Sequence, residues 1–177
     1  RRRQRQMCIR DRVTRAYEPP HKFDNACVLL GEQGSRKSTF WSVLGGEFFS
    51  DGLRDINGKD SLMILHRSWI CEMAELEAVT SKKMAGEIKS FLSQEIDVFR
   101  VPYGKVTEAF PRRGIIVGST NRHDGFLVDE TGNRRFWIIK LGENIGIENP
   151  IDCEGLLAER DSIWSAVVMA YKNGETT

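Results

Sequence analysis

The segment Val28–Thr39, VLLGEQGSRKST, constrains this chain more than any other. An apolar run, Ala26–Leu30, ends at Gly31, and a helix-forming stretch, Lys37–Leu44, follows until Gly45-Gly46 stops it. Strand, glycine loop and helix in that order frame the phosphate-binding pattern G-x-x-x-x-G-K-[ST]. Gly31 opens the pattern, Gly34 adds freedom within it, and Lys37, Ser38 and Thr39 close it at a helix N-terminus. Loop N–H groups and the positive end of the helix dipole then face phosphate oxygens. Lys37 is expected to neutralise the β- and γ-phosphates of ATP, and Ser38 to ligate Mg2+. Arg36 departs from the pattern, standing where the second glycine belongs. That glycine lets backbone and phosphate approach closely, so Arg36 bears on turnover. The bland alternative is a plain strand, turn and helix with an incidental Lys-Ser pair.

The rest of the chain repeats the alternation of buried strands and helices. Ser68–Met73, Gly114–Ser119 and Arg135–Leu141 are short apolar runs that read as further strands. Over Lys82–Ser93, Met84, Ile88, Phe91 and Leu92 recur at helical spacing and mark one face of an amphipathic helix. Leu156–Tyr171 reads as a closing helix carrying Ile163, Trp164, Val167, Val168 and Tyr171. Val98–Val106 holds Pro102 and Gly104 between β-formers and suggests a hairpin, and Glu18-Pro19-Pro20 is an irregular lead-in. The fold class expected is α/β, a P-loop NTPase with a mainly parallel sheet flanked by helices.

Polar residues at the strand ends carry the remaining chemistry. Glu72 and Glu75 follow the second apolar run, and such a fold needs acids there for Mg2+ and for the attacking water. Glu72 is the expected metal partner of Ser38. Asn121 tips the strand IIVGSTN, where an amide orients a water opposite the γ-phosphate or simply favours a turn. Arg134 and Arg135 precede the last strand. They read either as surface arginines paired with carboxylates or as a finger reaching a neighbouring subunit's nucleotide.

Composition sets limits on partners. Residues 1–15 hold seven arginines against one acid, so the body of this 177-residue chain is mildly acidic although the formal net charge is +1. Any nucleic-acid surface is therefore a local patch. Cys8, Cys27, Cys71 and Cys153 form no CxxC pair, and His21, His66 and His123 are equally scattered, so buried thiols in a reducing compartment are expected. No apolar run approaches the roughly 20 residues needed to span a bilayer, and the location expected is cytoplasmic. Residues 1–14 are expected to be a disordered basic segment without function, its RQMCIRDR stretch resembling translated sequencing-adapter sequence. Residues 15–177 are expected to form one domain, truncated at both ends.

In order along the chain, AYEPPHKFD, GEQGSRKSTF, WICEMAELE, EIKSFLSQEIDVFRVPYGK, GIIVGSTNR and DETGNRRFW resemble the virulence-associated protein E family. These are phage and mobile-element proteins whose P-loop domain is related to superfamily 3 helicases of the AAA+ group. The resemblance covers about Arg15 to Leu141, and DETGNRRFW and the KSFLS…D…R…YG stretch are its especially specific parts. It implies phosphate and Mg2+ binding by Lys37 and Ser38, and Walker B acids at Glu72 and Glu75, with Glu75 the base. It also implies a sensor role for Asn121 and a finger at Arg134 or Arg135. Residues 89–105 match the segment that forms a pore-facing hairpin, which implies contact with single-stranded DNA by Arg100, Tyr103 and Lys105. The leading expectation is a ring-forming, ATP-dependent helicase or translocase acting in phage or mobile-element replication. Its ring would be a homo-oligomer, with a hexamer one form. A nucleotide-binding or assembly module that does not hydrolyse ATP is the alternative. A small-molecule phosphotransferase is a third, against which the arginines and the 89–105 segment argue.

Overall fold

The computed structural model describes residues 13–54, 56, 58–73, 82–121 and 135–174. Their elements run β1 (Ala26–Leu30), α1 (Lys37–Gly45), a 3-10 turn (Gly46–Phe48), β2 (Phe49–Leu53), α2 (Lys59–Arg67) and β3 (Ile70–Met73). There follow α3 (Lys82–Ser93), β4 (Ile96–Phe99), β5 (Glu108–Pro111), β6 (Ile115–Thr120), β7 (Phe136–Lys140) and α4 (Cys153–Lys172). Five strands form a parallel sheet in the order β2-β3-β6-β1-β7, and β4 and β5 form a separate antiparallel hairpin.

Strand alternation builds a core on each face of the sheet. Ala26, Val28, Cys71, Met73, Ile116 and Phe136 turn to one side and pack with Leu65 of α2 and Ile88, Phe91 and Leu92 of α3. Cys27, Leu29, Ile70, Ile115 and Val117 turn to the other, against Trp41 of α1, with Trp164 of α4 packed alongside. Each inner strand is thus covered twice, which is why β1 is apolar throughout and β3 and β6 are apolar up to the polar residues near their C-terminal ends. The Trp41 Nε1–H donates to the Gly118 carbonyl at 3.2 Å, and Trp164 Nε1–H to the Leu44 carbonyl at 3.0 Å. These bonds fix α1 over β6 and α4 over α1. None of the helices among the described residues is long and apolar enough to cross a membrane.

Several expectations shift. β2 and α2, in the stretch between Gly46 and Ser68, carry no sequence expectation of their own. β2 (FSDGL) is an edge strand paired only with β3 and half-exposed, so it lacks an apolar run. The hairpin is wider than the predicted Val98–Val106 stretch: β4 ends inside it at Phe99 and β5 begins beyond it at Glu108, leaving 100–107 as the connection. Val13 and Thr14, assigned to the basic segment, are buried, and with Arg15 they pack into the body. Residues 1–12 lie outside the described residues. Cys27, Cys71 and Cys153 are buried free thiols, and burial foremost pushes the Cys71 thiol up to about 12.

Candidate functional site

Local sequence shapes the loop that follows β1. A Cβ on Gly31 would lie 2.8 Å from Cδ1 of Leu141, so a larger residue there would require the Leu141 side chain to shift. Ser35 is fully buried, and its Oγ donates to the Glu32 carbonyl at 2.7 Å, pinning the loop upon itself. Two residues adopt the left-handed conformation, Gly34 at φ 82° and Arg36 at φ 63°. Glycine takes that conformation freely, whereas an L-residue with a Cβ pays roughly 1–2 kcal/mol for it. The loop therefore keeps at position 36 the backbone geometry a glycine would supply, although arginine stands there. Arg36 is exposed, and its charge reaches Cys153 at the start of α4. Burial raises that thiol's pKa, while Arg36 opposes the rise. As N-cap of α1, Arg36 provides no side-chain cap, and no acid occupies the first helical turn. The positive end of α1 is left without an anionic partner from these positions.

Two neighbouring strands, β6 and β3, bring polar side chains to this loop from their C-terminal ends, where they meet Lys37 and Ser38 of α1. Lys37 is buried, and its Nζ donates to the carbonyls of Gly31 (2.9 Å) and Glu32 (2.6 Å), to Ser35 Oγ (3.3 Å) and to Asn121 Oδ1 (2.7 Å). An ammonium has three protons, so these four acceptors share them. Ser38 Oγ donates to Glu72 Oε1 at 2.9 Å, and Ser119 Oγ donates to the same oxygen at 2.6 Å. Glu72 is 5% exposed, so these hydroxyls largely replace water as its donors. Period-two geometry explains the convergence: Glu72 follows Ile70, and Ser119 and Asn121 follow Val117, on the sheet face that α1 covers. Gly31 N–H donates to the Thr120 carbonyl at 3.2 Å, tying loop to strand end.

The donor set suits Mg2+. A hydroxyl and a carboxylate are hard oxygen ligands, and Mg2+ takes one or two such groups together with water and substrate phosphates. Among the described residues no cluster of three or more His, Cys, Asp or Glu could hold a metal on its own. A cation here would thus depend on a phosphate-bearing ligand.

Among the described residues, the other predicted ones make none of these contacts. Thr39 is exposed in the first turn of α1. Arg135 precedes β7, whose first residue Phe136 is level with Ala26, so it sits at the opposite end of the sheet from the loop. Its Nε donates to Ser93 Oγ at 3.2 Å and lies 3.7 Å from Asp24 Oδ2. Glu75 and Arg134 lie outside the described residues. Arg100, Tyr103 and Lys105 are exposed on the hairpin connection, where Tyr103 is 106% exposed and has φ 64°.

Below that connection is a buried polar hub that sequence reasoning missed. Arg112 Nε and Nη2 donate to the two oxygens of Asp97 at 2.6 and 2.7 Å, and Nη1 donates to the Phe91 carbonyl at 2.5 Å. His66 Nε2 lies 2.8 Å from Asp97 Oδ2. Burial alone would raise the Asp97 pKa, but the hydrogen bonds from His66 and Arg112 hold it below the usual carboxylate value. Arg15 joins the hub through the carbonyls of Phe23, Gln94 and Arg112. Burial foremost, and then Arg112, brings its pKa down to about 10. The hub fastens the hairpin to α2, α3 and the helical residues 13–17. Ser35 and Ser119 were missed as well. Ser119 had a signal: it stands two residues before Asn121 and so shares its face.

Known structures place this arrangement in context. Two apo structures of the NrS-1 C-terminal region share the fold, with TM-scores of 0.57 and 0.60. Each is 14% identical, and the match covers 88% of this chain but 38% of the other. This chain thus spans well under half the length of those neighbours. No curated protein matches it in sequence. The family model described as the virulence-associated protein E-like domain matches residues 1–177, over the loop, strand-end and hairpin motifs alike, and the chain belongs to that family.

Proposed function

We propose that this chain is a P-loop ATPase domain of the helicase-like, AAA+-related kind, acting on DNA during phage or mobile-element replication. One observation carries the reading: Lys37, Ser38, Glu72 and Asn121 meet at the C-terminal ends of three adjacent parallel strands. In an open parallel sheet that is the edge where ligands bind. Lys37 would exchange its internal acceptors for phosphate oxygens, and Ser38 and Glu72 would hold Mg2+, which supplies charge neutralisation on the phosphates. Asn121, which accepts from Lys37, would orient a water beside the terminal phosphate. Glu75 is the proposed base. Arg134 or Arg135 would serve a neighbouring copy in a homo-oligomeric ring. Arg135 lies at the far sheet end, which suits action on a neighbour rather than on its own site.

Single-stranded DNA is the proposed second partner, met by Arg100, Tyr103 and Lys105. A fully exposed tyrosine at positive φ gains nothing from the fold, and stacking on a base is the use that fits it.

Arg36 favours a second reading, a nucleotide-binding or assembly module that does not turn over. ATP binding and hydrolysis by the unaltered chain, Arg36→Gly and Lys37→Ala separate the two. Hydrolysis by the unaltered chain supports the first reading; binding without hydrolysis, restored by Arg36→Gly, supports the second. If the unaltered chain does not bind ATP and Arg36→Gly gains nothing, neither stands.

A further inference from the structure

Glu72 Oε1 accepts from two hydroxyls, and only one of them belongs to the glycine loop. Ser38 Oγ reaches it at 2.9 Å from the first turn of α1, and Ser119 Oγ at 2.6 Å from β6. We infer that Ser119 is a positioning residue that holds the Glu72 carboxylate in its ligating orientation, an inference that rests on the reading of this loop as a Mg2+-nucleotide site.

The two donors differ in what ligand binding does to them. Ser38 Oγ must turn its lone pairs toward a divalent cation to ligate it, and its bond to Glu72 is then free to change. Ser119 has no such duty. It stands on β6, hydrogen-bonded between β1 and β3, in the middle of the sheet. Register fixes its aim: Val117 is level with Glu72, and Ser119 lies one same-face step further along the strand. The neighbouring Thr120 is almost fully buried and shows its carbonyl to Gly31, so the backbone beneath Ser119 is held as well. With Glu72 buried, little water competes for Oε1, and Ser119 stays as the donor that holds this oxygen when Ser38 turns to the cation. Groups that orient a metal ligand in this way affect metal affinity by about 10–100-fold when removed.

The test is binding of a fluorescent ATP analogue to the full chain, titrated with Mg2+, for the unaltered protein, Ser119→Ala and Ser119→Thr. Thermal unfolding without nucleotide or Mg2+ runs alongside. Ser119→Ala is expected to raise the half-saturating Mg2+ concentration about tenfold while leaving nucleotide affinity without Mg2+ unchanged. Ser119→Thr, which keeps the hydroxyl, is expected to recover most of the shift. A half-saturating Mg2+ concentration unchanged in Ser119→Ala overturns the inference. So does a loss of nucleotide binding that is equal with and without Mg2+ and follows a fall in thermal stability, since that is the mark of a purely structural hydroxyl. If the unaltered chain itself shows no Mg2+-dependent nucleotide binding, the reading of the loop fails first and this inference falls with it. That failure is visible before any variant is compared.

Discussion

Replacing Arg36 with glycine removes a strained residue from the loop and leaves the loop's path intact. Arg36 holds φ 63° and ψ 33°, inside the left-handed region. An L-residue there costs about 1–2 kcal/mol relative to right-handed backbone. Glycine relieves that strain but gains freedom in the unfolded chain, which offsets about 0.4–1 kcal/mol. The difference predicts a net stabilisation of about 0.5–1 kcal/mol, or a rise in Tm of about 2–3 °C for a domain of this size. Arg36→Ala is the control, because it deletes the charge and keeps the Cβ and its strain. Thermal and urea unfolding of the three proteins, without nucleotide, measure the effect. Stabilisation by glycine and none by alanine is the expected pattern. A destabilised glycine variant, or equal stabilisation by both, would refute the argument from backbone conformation.

Arg112→Leu leaves the buried Asp97 carboxylate without its bidentate partner and should destabilise by about 3–5 kcal/mol, seen as a Tm lower by about 10 °C. A loss under about 1 kcal/mol would mean the hub does not hold the hairpin in place. Because the folded pKa of Asp97 is depressed, its ionised form contributes stability above the unfolded value of about 4, and this is lost as pH falls through the folded pKa. The stability gap between the unaltered chain and Asp97→Asn should therefore narrow in denaturant titrations as pH drops below about 4. Tyr103→Ala should weaken single-stranded DNA binding by about 1–3 kcal/mol through lost stacking, with folding stability unchanged or slightly raised. Lys105→Ala should reduce the salt slope of that binding by about one, and an unchanged slope would remove Lys105 from the DNA contact.

Burial on both faces made most of the sheet readable. β1 has the bounds expected from its apolar run because every residue in it is buried. α3 matches its expected bounds because Ile88, Phe91 and Leu92 all face the core. Where an element is covered on one side only, the pattern thins. β2 carries Ser50, Asp51 and Gly52, and its pairing with β3 supplies what its side chains do not. Val101 and Val106 look like strand residues by propensity, yet both are exposed on the hairpin connection. The site divides in the same way. Lys37, Ser38, Glu72 and Asn121 lie at the ends of readable elements, so pattern and spacing found them. Ser119 and the His66, Asp97 and Arg112 hub depend on register and tertiary packing between distant segments, which local sequence does not carry.

Nucleotide binding at Lys37 is the claim on which the functional account stands. Calorimetric titration of ATP with Mg2+ into the unaltered chain and into Lys37→Ala tests it most directly, with thermal unfolding to show that the variant is folded. The account predicts Mg2+-dependent binding by the unaltered chain, and a loss of about 3 kcal/mol, roughly 100-fold in Kd, when the ammonium is removed. Absence of binding by the unaltered chain, or equal affinity in folded Lys37→Ala, would contradict it.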